Sequence, residues 1–194
     1  MSKVSIFIFH YYLEIKINSI KIYFTRNDCL LVVDTVASLG GVEMFTDRWN
    51  VDCIYSGSQK VIGAPPGLAP ISFSPKAVQK IQSRKNPISV FYFDMNWLGQ
   101  YWGCFEDKPR VYHHTISATL LYGFREGLAQ IVEEGLMNCI NRHKEAAKCL
   151  HDGLTEIGLE FFVEDPCARL PTVTTLKVSE GMDWKAVTQT CLYR

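Results

Sequence analysis

An α/β fold with a mostly parallel sheet is predicted by three features of this sequence. Cys29 to Val33 (CLLVV) is an unbroken apolar run that ends at Asp34, the pattern of a strand buried on both faces. Val51 to Tyr55 is a second short run, closing in Ser56, Gly57 and Ser58. The stretch between them holds Gly40 and Gly41 and is long enough for a crossover, so a right-handed βαβ-like unit is expected.

The remaining elements follow in order. Met1 to Asp28 contains no Gly, Pro or Ala and is dense in Ile, Phe, Tyr, Lys and Asn. Within it, Val4 to Leu13 resembles the apolar region of a signal peptide, but no small-residue cleavage site follows. That run is also shorter than the roughly 20 residues a spanning helix needs. Alternation over Leu13 to Asn18 predicts a strand with one wet face. Leu68 to Phe73 reads as a further strand, which Pro70 places at an edge or an irregular position. Ser74 and Pro75 then open a helix to about Arg84, as N-cap and first helical residue.

Asp94 to Tyr101 is expected to be a short helix or loop carrying Trp97, and Thr115 to Glu133 has helical periodicity. Leu136 to Ile157 predicts a long amphipathic helix with Ile140, Ala147, Leu150, Leu154 and Ile157 on its buried stripe. Gly158 is placed to end it. Leu159 to Val163 and Thr172 to Val178 read as strands, and Asp183-Trp184 starts another helix.

Composition narrows the function. The 194 residues suit one domain, or one domain and the start of a second, and 47% apolar content excludes wholesale disorder. Twenty Lys and Arg balance twenty Asp and Glu with no basic cluster, which argues against nucleic acid as a partner. No membrane partner is expected either. The seven cysteines are scattered, with no C-x-x-C pair and no histidine at zinc spacing. Neither a disulfide framework nor a metal site is predicted.

The chemically suggestive pair is Asp34 and Lys60. Asp34 ends one predicted strand and Lys60 follows the turn after the next, at the strand ends where open α/β sheets place ligands. A lysine there can form a Schiff base with a carbonyl cofactor, and an aspartate can pair with a protonated pyridine nitrogen. A freed lysine can also carry the proton of a Cα–H bond.

Four ordered motifs extend this pair: LVVDTVASLGG from Leu31 to Gly41, YSGSQK from Tyr55 to Lys60, APPG from Ala64 to Gly67, and YHHT from Tyr112 to Thr115. With Trp97 to Arg110 and RLPTVTT from Arg169 to Thr175, they resemble the class V pyridoxal-phosphate aminotransferases of fold type I, over roughly Cys29 to Val187. The resemblance implies transfer of an amino group from alanine or serine to glyoxylate or pyruvate, with pyridoxal 5′-phosphate as cofactor. It implies that Lys60 bonds the cofactor covalently, Asp34 binds its ring nitrogen and Val36 packs against its ring. Ser38 would support the strand-end loop and Gln59 would hold the phosphate. Tyr112 and Thr115 would reach the phosphate of a neighbouring subunit, which implies a homodimer. The bland readings are a core valine at Val36, turn residues at Ser38 and Gln59, and an aromatic surface patch at Tyr112 to His114. Trp97 and Trp102 are expected to pack rather than stack on the cofactor, and Cys139 and Cys149 to behave as small apolar residues.

This division follows: residues 1–28, a segment that does not match the family; 29–135, a partial cofactor-binding large domain; and 136–194, a linker helix and incomplete small domain. The expectation is a chain truncated at both ends relative to the family, without the arginine that clamps the substrate carboxylate, and impaired in turnover. The alternative from another class is a non-catalytic fragment that pairs with full-length subunits. A third reading keeps the chemistry and changes the substrate. By resemblance the compartment is a peroxisome or mitochondrion, with the cytosol as the alternative.

Overall fold

The computed structural model describes residues 4–8 and 29–192. Its sheet has four described strands in the order β1 (Val4–Ile8), β2 (Leu30–Asp34), β3 (Cys53–Tyr55) and β4 (Ile71–Phe73). β1 pairs in parallel with the whole of β2, from Val4 opposite Leu30 to Ile8 opposite Asp34. The strand expected over Leu13 to Asn18 lies outside the described residues. β2 and β3 are also parallel, so Asp34 faces Tyr55 across the ladder at the carboxyl ends of both. β4 runs antiparallel to β3, and Pro70 sits just before it, where its missing N–H costs the ladder nothing.

The link from β2 to β3 differs from the expected helical crossover. Residues 35–52 form consecutive turns, held by bonds such as Leu39 N–H to Thr35 O and Trp49 N–H to Phe45 O. Their side chains still cover the sheet: Trp49 and Val51 pack with Cys29, Leu31 and Val33 into one buried cluster. A compact run of turns thus supplies the apolar cover that the sequence pattern assigned to a helix.

Asp52 ties this unit together. Its buried carboxylate accepts Leu31 N–H and Ser74 Oγ–H, both at 2.9 Å, and lies 3.6 Å from Lys76 Nζ. Ser74 also accepts Ala77 N–H, so the serine that caps α1 (Pro75–Gln82) anchors that helix to the sheet. The proline at the first helical position lies where the sequence places it.

α2 (Met95–Trp102) is a true helix, capped by Asp94 and ended by Gly103 at φ 75°. Trp97 and Trp102 are both partly exposed; Trp97 contacts the Phe91 ring at 6.0 Å between centroids. α3 (Ala118–Glu134) starts three residues later than its periodicity suggests, because Ser117 caps it. α4 (Leu136–Glu156) follows after Gly135 alone. Cys139, Ile140 and Ala147 are buried as expected, but Leu150 and Ile157 are exposed, at 50% and 71%. The apolar stripe is therefore covered only along its first three turns by the described residues. Cys139 behaves as a buried small residue and Cys149 does not, being exposed. Cys53, Cys104, Cys139, Cys149 and Cys167 are free thiols.

Beyond α4, the two expected strands shrink to one antiparallel bridge, Phe161 opposite Leu176. Phe162 N–H to Thr175 O and Lys177 N–H to Glu160 O flank it. α5 (Trp184–Leu192) ends the described chain. No helix among the described residues is long and apolar enough to cross a membrane.

Candidate functional site

The carboxyl ends of β2 and β3 lie side by side, and both open into turns held by buried hydroxyls. Thr35, Ser56 and Ser58 are all nearly inaccessible, at 1%, 2% and 0%. Thr35 N–H and Oγ–H both donate to Tyr55 O, at 2.9 and 2.7 Å, and Ser56 Oγ–H donates back to Thr35 O at 3.0 Å. These bonds lock the residue after Asp34 to the residues before the Lys60 turn. Ser58 does the same for the Lys60 loop: its hydroxyl donates to Pro65 O at 2.6 Å, and its backbone pairs with Leu68 O and Ala64 N–H. Buried polar groups must find such partners, so this loop has one conformation to satisfy them.

Asp34 is half-buried, and its two carboxylate oxygens are held separately. Oδ1 accepts Val36 N–H and Oδ2 accepts the Tyr55 hydroxyl, each at 2.8 Å. The bond to Asp34, ahead of burial, holds the Tyr55 phenol above its ordinary pKa. Lys60 is exposed on the neighbouring turn, and its amine makes no hydrogen bond or ion pair among the described residues. Val36 and Gln59 approach one another across Gly57. A Cβ on Gly57 would sit 2.8 Å from Gln59 Oε1 and 3.5 Å from Val36 Cγ1, so only a bare glycine leaves room for the Gln59 side chain there. Ser38 is buried in the turn after Asp34, where its carbonyl accepts Gly41 and Val42 N–H.

Asp34, Val36, Gln59 and Lys60 thus gather at one end of the sheet, with Ser38 in the turn behind them. Tyr112 and Thr115 stand apart. Their hydroxyls bond each other at 2.6 Å on an exposed stretch before α3, and no hydrogen bond among the described residues joins them to Asp34 or Lys60. Beside them His113 is buried, stacked on Phe91 at 4.2 Å and bonded to the Phe91 carbonyl through Nε2. Its Nδ1 meets His114 Nδ1 at 2.8 Å, so one imidazole partner is the other ring rather than backbone. α3 meets the Lys60 loop directly: a Cβ on Gly127 would lie 2.5 Å from Ile62 O. Among the described residues no group of three His, Cys, Asp or Glu could hold a metal ion.

Sequence reasoning did not give Tyr55, Thr35, Ser56 or Ser58 a role. All four lie within two of the quoted motifs, but as polar residues at or just past the ends of apolar strands they read like those of any surface turn.

Residues 14–192 match the model of the class-V aminotransferases, and the chain belongs to that family. It is 55% identical over 164 residues to alanine–glyoxylate aminotransferase of Drosophila melanogaster, covering 84% of this chain and 41% of that protein. It is 34% identical to (S)-ureidoglycine–glyoxylate transaminase of Bacillus subtilis, over 82% of this chain and 42% of that one. The crystal structure of an alanine–glyoxylate aminotransferase from Nostoc sp. superposes with a TM-score of 0.85 at 40% identity, over 97% of this chain and 50% of that chain. The chain therefore spans about two fifths of the length of the curated relatives it matches. The fold is that of fold type I, here as part of a large domain with a mixed sheet and flanking helices.

Family membership implies pyridoxal 5′-phosphate as the cofactor. The residues present fit it on two counts. Asp34 offers an acceptor-only carboxylate held by two donors, suited to a protonated ring nitrogen. Val36 and Gln59, the side chains nearest Gly57, offer an apolar surface and an amide able to donate to a phosphate.

Proposed function

We propose that this chain carries the cofactor-binding centre of an aminotransferase that moves an amino group from alanine or serine to glyoxylate or pyruvate. The observation that carries the reading is Asp34 at the end of β2, its carboxylate held by Val36 and Tyr55, with Lys60 on the turn that follows the adjoining strand β3.

Bound pyridoxal phosphate supplies an electron sink for the pair released when the substrate Cα–H bond breaks. The chain's own residues bind and orient. Asp34 would receive the ring nitrogen through its carboxylate and favour positive charge there. Lys60 Nζ would anchor the cofactor covalently and, as a free amine, would take and return the proton at the substrate Cα. Val36 would lie against the ring, Gln59 would hold the phosphate and Ser38 would brace the turn that carries Asp34. Tyr112 and Thr115, paired and exposed, are suited to the phosphate of a second subunit, and the exposed rings of Phe91, Tyr92, Phe93 and Trp97 support a protein partner there. The compartment proposed with this reading is a peroxisome or mitochondrion.

The test is direct. Incubation with pyridoxal phosphate is expected to give the visible absorbance of lysine-bound cofactor, absent from Lys60→Ala. Identical spectra for the two proteins would remove the reading. Conversion of glyoxylate to glycine with alanine as donor, measured on the same samples, tests the substrate pair.

A further inference from the structure

Neither the strand pattern nor the motif in which Tyr55 lies gives this residue a task, yet its hydroxyl is one of the two groups that hold the Asp34 carboxylate among the described residues. The two donors come from different places: Val36 N–H from the turn after β2, and the Tyr55 hydroxyl from β3. A carboxylate held at one oxygen can still rotate about its Cβ–Cγ bond. Held at both, by one group from its own turn and one from the neighbouring strand, its plane is set.

Tyr55 is itself firmly placed. It pairs with Asp34 in the β2–β3 ladder, and its carbonyl takes both donors of the buried Thr35. The phenol thus rises from a fixed backbone, and the next residue, Ser56, is bonded to Thr35 as well. A carboxylate has about four acceptor directions, so two remain open for a further donor once these are filled.

We infer that Tyr55 is a positioning residue for Asp34, fixing the carboxylate plane in which the cofactor's ring nitrogen is received. This rests on the cofactor reading above, and the two fail in different ways. A hydrogen bond to a charged group predicts roughly tenfold weaker binding of pyridoxal phosphate in Tyr55→Phe, which removes one oxygen and keeps the ring. A structural role would predict weaker binding too, so the decisive experiment is a cycle with Asp34→Asn.

Dissociation constants for pyridoxal phosphate are measured on the whole chain as wild type, Y55F, D34N and the double variant, with circular dichroism checking the fold. Acting through Asp34, Y55F weakens binding in the wild-type background and changes it less than about twofold in D34N. An equal loss in both backgrounds, or no loss in either, overturns the inference while leaving the cofactor reading intact. If wild type and Lys60→Ala bind alike, the cofactor reading fails, and this inference with it. The ring-nitrogen resonance of isotopically labelled cofactor gives a second readout. It moves in Y55F when the carboxylate has turned, and an unchanged resonance counts against the inference.

Discussion

Replacing Asp52 with alanine should be among the most damaging single changes outside the site. The carboxylate is buried, and two donors depend on it: Leu31 N–H inside β2 and Ser74 Oγ–H at the head of α1, both at 2.9 Å. Leu31 is 2% exposed, so water does not reach its orphaned N–H, and that loss costs about 2 kcal/mol. Ser74 is only half-buried and recovers part of its bond from solvent, for a loss of about 1 kcal/mol. Lys76 sits 3.6 Å away with a side chain 39% exposed, and it keeps its bond to Cys29 O, so the ion pair adds at most a few tenths. Asp52→Ala is thus expected to lose about 3 kcal/mol, and Asp52→Asn, which retains an acceptor, about 1 kcal/mol. In urea unfolding followed by circular dichroism, the alanine variant's midpoint should fall by about 1.5 M at an unchanged slope. A midpoint within about 0.3 M of wild type would show that the carboxylate does not join strand to helix.

Two further outcomes follow from single contacts. His151 is held below the ordinary histidine pKa, first by burial and then by the nearby Arg169 charge, against a weaker pull from Asp152. Its folded form takes up protons less readily than the unfolded chain. Stability therefore holds above the unfolded value near 6.5 and falls as pH drops toward the folded one. Urea midpoints from pH 7.5 to 5 should decline more in wild type than in His151→Gln; parallel curves would refute the assignment. Gly127→Ala forces its methyl against the Ile62 carbonyl, a backbone atom that cannot rotate away. About 1–3 kcal/mol of destabilisation is expected, together with faster amide exchange in the Lys60 loop that α3 covers.

Much of the chain was legible because its signals are local. Ser74 and Pro75 start α1, and Gly158 stands at the end of α4 at φ 78°, since caps and left-handed positions depend on a few adjacent atoms. Asp34 and Lys60 could be singled out because strand ends are visible as apolar runs that stop, and the surrounding motifs named a family that comparison bears out. The periodicity of α4 was equally visible, but it could not say how much of the stripe would be covered, and Leu150 and Ile157 are exposed.

By itself the sequence determined that β2, β3, β4, α1, α3, α4 and α5 form and which chemistry-bearing residues stand at the strand ends. Only the tertiary structure decided that β4 runs antiparallel, that turns rather than a helix join β2 to β3, and that Asp52 and Tyr55 matter. Both of those residues act through partners 21 positions away, Asp52 on Leu31 and Tyr55 on Asp34. Strand register creates such pairs, and register comes from packing one face of a sheet against a core, a property that no short stretch of chain possesses.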